Sequence, residues 1–282
     1  MSQSNFERQR DHWRGMALRF AHIGPPLRPT AQDLAVYQQA IDRQARRYRG
    51  RSFRVLLLGV TREIACLRWP ENSELIAIDR SAEMVRACWI GDVAGRRQAR
   101  CGDWLKLAPE LGPWGLVLGD GSLSSLQFPD ETRQLLSHLH DTLLPGGRLV
   151  LRCFVEHAAR ESPQAVIHAM RGGEIESFHA AKFRLAMALQ SSSGAGVHLA
   201  AVWRAWNDFA LDLGKLAVAT AWSRETIQTI DAYRDSPGFQ SFPTLSQFQA
   251  VAAEFFTLES QFVPGYEMGD RCPMLTFVQR ER

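Results

Sequence analysis

"RVLLLGVTREIACLRWP", residues 54–70, decides how the chain is read. An apolar run from Val55 to Leu58 ends on a single glycine, Gly59, followed by Val60, Thr61, Arg62 and Glu63. The run has the length of a buried strand. Folds that hold a diphosphate place several glycines after such a strand, so that the backbone can approach the phosphates at a helix N-terminus. Here the glycine stands alone. Glu63 falls in or near the first turn of the next helix, where its carboxylate would repel a pyrophosphate. The stretch is therefore a poor NAD or FAD site. S-adenosylmethionine carries no phosphate. Its sulfonium, amino-acid end, ribose and adenine need one close backbone approach and acidic neighbours, and "LGVTRE" offers both.

Further strand ends supply more acids. "ELIAID" (74–79) closes on Asp79, 20 residues after Gly59. In a βαβ unit such an acid can accept hydrogen bonds from both ribose hydroxyls. The alternative is that Asp79 only caps the helix that starts near Ser81. "GDW" (102–104) ends a third strand: Asp103 can accept from the adenine amine and Trp104 can cover the ring, or Trp104 is plain packing. In "LGDGSLSSL" (118–126), Asp120, Gly121 and Ser122 sit at the carboxyl end of a fourth strand, beside the expected switch point of the sheet, where open α/β sheets bind ligands. A turn without a ligand role is the alternative there.

Around these motifs, strands and helices alternate. "SAEMVRACW" (81–89) and "DETRQLLSHLHDTLL" (130–144) have helical spacing, the second stopped by "PGG", and "RLVLRCF" (148–154) is a fifth strand. Alternation predicts a parallel sheet flanked by helices on both faces, with right-handed crossovers. Residues 5–50 read as two helices around the Pro-rich turn "GPPLRP" (24–29), with Thr30 and Asp33 placed like a capping box. Arg28 in that turn is a candidate to fold over the cofactor mouth. Residues 156–250 read as helical, with "SSSGAG" as a loop and little strand signal. "FFTLESQFVP" and "CPMLTFVQR" alternate as a terminal hairpin.

The order of "LLLGVT", "IAIDRSAEMV", "CGDW", "LVLGDGSLSSL" and "LLPGGRLVLR" resembles the class I S-adenosylmethionine-dependent methyltransferases over about residues 53–154. The chain departs from the usual Gly-x-Gly-x-Gly loop and resembles a subgroup with a Gly-x-Thr turn. The resemblance implies a Rossmann-like, seven-stranded, mostly parallel sheet with helices on both faces and an antiparallel last strand. It divides the chain into an N-terminal helical cap (1–50), a cofactor-binding core (51–154), a helical insertion or substrate lid (155–252) and terminal strands that complete the sheet (253–282). It places Gly59, Val60 and Thr61 near the methionine end and Asp79 on the ribose. Arg80 and Met84 would flank the adenosine, Asp103 and Trp104 would meet adenine, and Asp120, Gly121 and Ser122 would close the pocket beside the methyl group.

Such an enzyme holds donor and acceptor in line, because the sulfonium already leaves well. A general base is needed only for an acceptor that keeps its proton, so catalytic residues need leave no motif. None is assigned. His157, His168, His179 and His198 fall in the helical insertion without singling one out. No HExxH or paired His/acid pattern suggests a metal. Aromatics from Trp203 to Tyr233 read mainly as core, and any that face the cofactor would suit an apolar small-molecule acceptor.

Composition sets the outer bounds. A chain of 282 residues with 45% hydrophobic and 22% charged residues suits a globular α/β protein. The net charge of +3 is small, and the basic cluster "RQARRYRGRSFR" (43–54) lacks the breadth of a nucleic-acid footprint. Five cysteines, an odd number without a CxxC pair, favour free thiols in a reducing compartment. No signal peptide or membrane span is visible, so a cytoplasmic location is expected. The expectation is a methyltransferase acting on a small molecule, without nucleic-acid or membrane partners. The alternatives are an RNA or protein acceptor, or a non-catalytic nucleotide-binding or scaffold protein of the same fold.

Overall fold

The computed structural model describes residues 19–108, 111–209, 220 and 222–280. Its frame is one seven-stranded sheet. The strands are β1 (Phe53–Leu58), β2 (Ser73–Asp79), β3 (Arg97–Cys101), β4 (Trp114–Asp120), β5 (Leu143–Arg152), β8 (Phe256–Phe262) and β9 (Met274–Gln279), in the order β3-β2-β1-β4-β5-β9-β8. β1 to β5 pair in parallel, and β9 enters antiparallel between β5 and β8. The order reverses between β1 and β4, which opens a crevice at their carboxyl ends. This is the sheet that the motifs implied, antiparallel last strand included.

The central strands are apolar on both faces because helices cover both. One face, with Val55, Leu57, Ala77, Leu116 and Val150, packs on Tyr37 and Ile41 of α1 (Ala31–Arg47) and Ile64 of α2 (Arg62–Ala65). The helix α3 (Ala82–Cys88) adds Cys88 to this layer. The other face, with Leu56, Leu58, Ile76 and Leu149, packs on Leu135 and Leu139 of α4 (Asp130–Thr142) and on Phe248. β8 is the edge strand, and its residues from Thr257 onward are exposed.

Between β5 and β8 the chain builds its own apolar core. Helices α5 (Pro163–Arg171), α6 (Phe178–Leu189) and α7 (Leu199–Phe209) bury Val166, Phe183 and Trp206 there. The short helix α8 (Arg224–Ile227) and a 3-10 turn at Gln228–Tyr233 add Ile227 and Tyr233. The helix α9 (Leu245–Ala252), which carries Phe248, returns the chain to the sheet. Strand pairing is not absent from this segment, as β6 (Val197–His198) and β7 (Phe239–Gln240) pair antiparallel.

Two local expectations shift. "PGG" does not stand between helix and strand. α4 ends at Thr142, and β5 starts at Leu143, with the three residues inside an irregular first stretch where pairing with β4 changes register. Gly146, at φ +75°, makes that bend possible. Of the two helices read before residue 50, the second is α1. Residues 1–18 lie outside the described residues, and a 3-10 turn at Phe20–His22 leads into the Pro-rich segment. No helix of the described residues is long and apolar enough to cross a membrane.

Candidate functional site

The carboxyl ends of β2, β1, β4 and β5 carry Asp79, Gly59, Asp120 and Arg152. Strand alternation sends Asp79, Asp120 and Arg152 to the α1 face, two residues beyond the core positions Ala77, Leu118 and Val150. These ends therefore assemble one charged rim.

Gly59 leaves β1 at φ +103°, a conformation that favours glycine. Its N–H donates to the Ile78 carbonyl at 2.8 Å, holding the β1 and β2 ends together. A Cβ built on Gly59 would lie 3.8 Å from Asp79 Oδ2, so that carboxylate faces the bare glycine backbone. The other oxygen, Oδ1, accepts the Ser81 N–H at 2.8 Å. Ser81 itself caps α3 by accepting from the Met84 N–H. Asp79 thus both secures the turn before the helix and presents an oxygen to the crevice. Burial pushes its carboxyl up to about 6, against the pull of the Ser81 N–H and the Arg80 charge.

Arg80 and Asp103 join at 2.9 Å across the β2 and β3 ends. Burial works against the Asp103 charge, but Arg80 and the Leu105 N–H outweigh it and lower the pKa. Trp104 donates its indole N–H to the Ile78 carbonyl at 2.6 Å and packs on the α4-side core while half-buried. Met84 is half-buried against the α1-side core. Val60 is buried in the α1-side core. Thr61 is the residue before α2 and makes no side-chain cap there.

The β4 end is committed to the protein itself. Ser122 Oγ donates to the Leu58 carbonyl at 2.6 Å, and the Gly121 N–H donates to the Arg152 carbonyl. Gly121 has φ +63°, and a Cβ there would stand 2.1 Å from the Phe154 ring. Asp120 Oδ1 accepts from Arg152 Nε at 2.5 Å, both side chains being almost fully buried. Arg152 also donates to the Pro26 carbonyl and the Tyr266 hydroxyl and lies 3.8 Å from Asp33. Burial raises the Asp120 pKa, against the Arg152 charge; burial also opposes the Arg152 charge, but Asp120 and its neighbours keep it protonated. This buried cluster, with Tyr37 donating to the Gly119 carbonyl, was not read in the sequence. Its one signal is an arginine closing the apolar strand "RLVLR".

The Pro-rich segment 22–29 crosses the rim. The His22 carbonyl meets His179, the Pro25 carbonyl accepts from Ser177, and the Pro26 carbonyl accepts from Arg152. Arg28 pairs with Glu63 of α2, and Asp33 accepts from the Thr30 N–H and hydroxyl as α1 begins. Four carboxylates (Asp33, Glu63, Asp79 and Asp120) therefore face two guanidiniums (Arg28 and Arg152). Arg62 and Arg80 stand at the same ends, so cations and carboxylates interleave along the rim. Among the described residues no group of three or more His, Cys, Asp and Glu is placed to hold a metal ion.

The chain matches no family model and no curated protein. Solved structures align with it over most of its length. A Rhodobacter sphaeroides protein provisionally named as a zinc-dependent alcohol dehydrogenase aligns over 95% of this chain and 98% of its own, with 13% identity and a TM-score of 0.54. The N-methyltransferase NodS of Bradyrhizobium japonicum WM9, in complex with S-adenosyl-L-homocysteine, aligns over 96% of this chain and 100% of its own, with 13% identity and a TM-score of 0.48. A provisionally named S-adenosylmethionine-dependent methyltransferase of Listeria monocytogenes aligns over 88% and 100%, with 12% identity and a TM-score of 0.48. At such identities the likeness is one of fold, and what the fold holds in this chain is a matter for its own residues.

Proposed function

We propose that the chain is an S-adenosylmethionine-dependent methyltransferase acting on a small-molecule acceptor. The observation that carries this is Asp79, whose free oxygen faces the bare backbone of Gly59 at the sheet's switch point. A nucleoside laid across that edge meets a carboxylate for its ribose hydroxyls and no side chain at the turn. The same edge offers a diphosphate no run of glycines to approach, and Glu63 stands in the first turn of α2.

Gly59, Val60 and Thr61 would line the methionine end, Asp79, Arg80 and Met84 the ribose and its surroundings, and Asp103 and Trp104 the adenine. Asp120, Gly121 and Ser122 would shape the floor from behind, through Arg152 and the Leu58 carbonyl. The donor supplies an activated methyl group. The chain's part is to orient it and exclude water, with residues 1–50 as cap, 51–154 as core, 155–252 as acceptor lid and 253–282 completing the sheet.

A second reading rests on a specific observation. The Arg28–Glu63 and Arg152–Asp120 pairs tie the rim's own charges to one another, as expected of a fold kept for scaffolding. Calorimetry with S-adenosylmethionine, S-adenosylhomocysteine and NAD decides between them. Binding of both sulfur nucleosides but not NAD is the expected result. Absence of sulfur-nucleoside binding sinks the methyltransferase. Tight binding without methyl transfer to any small-molecule extract favours the silent protein.

A further inference from the structure

The missing glycines leave one question for this chain: what grips the charged tail of its ligand. Arg28 reaches from the Pro-rich segment to Glu63 Oε1, with both side chains partly exposed. The other oxygen, Glu63 Oε2, is buried and has no hydrogen-bond partner among the described residues. A buried carboxylate oxygen without a donor is costly and uncommon, and it points to a group that supplies one. The pair sits beside the nucleoside position. The Cys88 thiol is pushed up to about 11 by burial and by the charges of Asp79 and Glu63, against Arg28 and Arg62. Glu63 lies one short turn beyond Gly59, and Arg28 hangs from a segment anchored on Arg152 and on the start of α6.

We propose that the Arg28–Glu63 ion pair is the site for a zwitterionic amino-acid tail, which enters by exchange. The tail's α-ammonium donates to Glu63, whose Oε2 already lacks a donor, and its α-carboxylate accepts from Arg28. Each charge leaves one partner and gains another of the same sign, so no charge is stranded. Two charge-assisted hydrogen bonds replace the loop of glycines. This makes Arg28 and Glu63 the residues that distinguish a nucleoside with an amino-acid tail from one without. The inference rests on the methyl-donor reading and deepens it.

The test is calorimetry on the full chain with S-adenosylhomocysteine and 5′-methylthioadenosine, which shares the nucleoside and sulfur but lacks the amino-acid tail. The wild-type chain is expected to bind the homocysteine compound at least about tenfold more tightly. Glu63→Gln and Arg28→Met should each bring that affinity down to the level of methylthioadenosine, whose own binding stays unchanged and reports an intact fold. Equal affinity of the two compounds for the wild-type chain overturns the exchange while leaving the nucleoside site standing. So do variants that bind methylthioadenosine and keep full affinity for S-adenosylhomocysteine. Failure of the wild-type chain to bind either compound overturns the donor reading itself, and the exchange with it.

Discussion

Arg152 Nε donates to Asp120 Oδ1 at 2.5 Å between neighbouring strands, with the arginine side chain wholly buried. The last residues of β4 and β5 are thereby locked beneath the Pro26 carbonyl. Removing one partner strands the other charge. Arg152→Met is expected to destabilise the fold by about 3–5 kcal/mol, because Asp120 and Asp33 then lose their cation together. Urea unfolding measures this, and a loss below about 1 kcal/mol would mean that the pair is not what holds the two strand ends.

Asp79 links the site to pH. Its folded pKa of about 6 stands above the ordinary 3.8 of an aspartate. The folded chain therefore takes up this proton first. Its contribution to stability is fully present below the lower value and is lost as pH rises through about 6. Ligand binding runs the other way, since the ionised carboxylate is the better acceptor for ribose hydroxyls. Affinity for S-adenosylhomocysteine should fall as pH drops from 7 to 5, and Asp79→Asn should weaken binding at pH 7 and flatten that profile. A wild-type profile without a step near pH 6 would remove Asp79 from the ribose.

Gly121 occupies the left-handed region at φ +63°, with the Phe154 ring where a Cβ would go. Gly121→Ala meets strain in the backbone and a clash in the core. A cost of about 2–4 kcal/mol follows. Thermal unfolding unchanged by the substitution would show that the β4 turn tolerates other conformations.

Lys182 lies inside the helical segment with Nζ 4.8 Å from the Tyr233 ring centroid and 5.7 Å from that of Phe178, and no hydrogen-bond partner among the described residues. Burial pulls its amine from 10.5 down to about 7. A depressed folded pKa means that the unfolded chain binds more protons between these values. Stability should therefore rise with pH from about 7 to 10.5 and be lowest below 7. Lys182→Met is expected to add about 1–3 kcal/mol at pH 7 and to abolish that rise. Stability curves for the two chains that run parallel across this window would show that the amine keeps its proton in the core.

The strands, their parallel pairing and the acids at their ends could be read locally, because a buried strand declares itself by its apolar run and its length. "RVLLLG", "ELIAID" and "WGLVLGD" are such runs, and each became a strand, the first ending one residue early at Leu58 and the other two closing on the expected acid. The capping roles of Ser81 and of Asp33 beside Thr30 were equally local. The start of β5 was not, because Pro145 and Gly146 look like a break and only pairing with β4 makes them strand.

What each acid does was decided by partners distant in sequence. Asp79 and Asp120 look alike from the sequence, each an acid closing an apolar strand. One keeps an oxygen facing bare backbone because Gly59 has no side chain to fill the space. The other is taken by Arg152, 32 residues further on. Arg28 meets Glu63 across 35 residues because the Pro-rich segment is anchored on both Arg152 and α6. Periodicity and composition determined where the chain turns and what it buries. Which charges neutralise one another, and which stay open to a ligand, arises only when strand ends converge, since Coulomb and hydrogen-bond energies depend on distance in space and not along the chain.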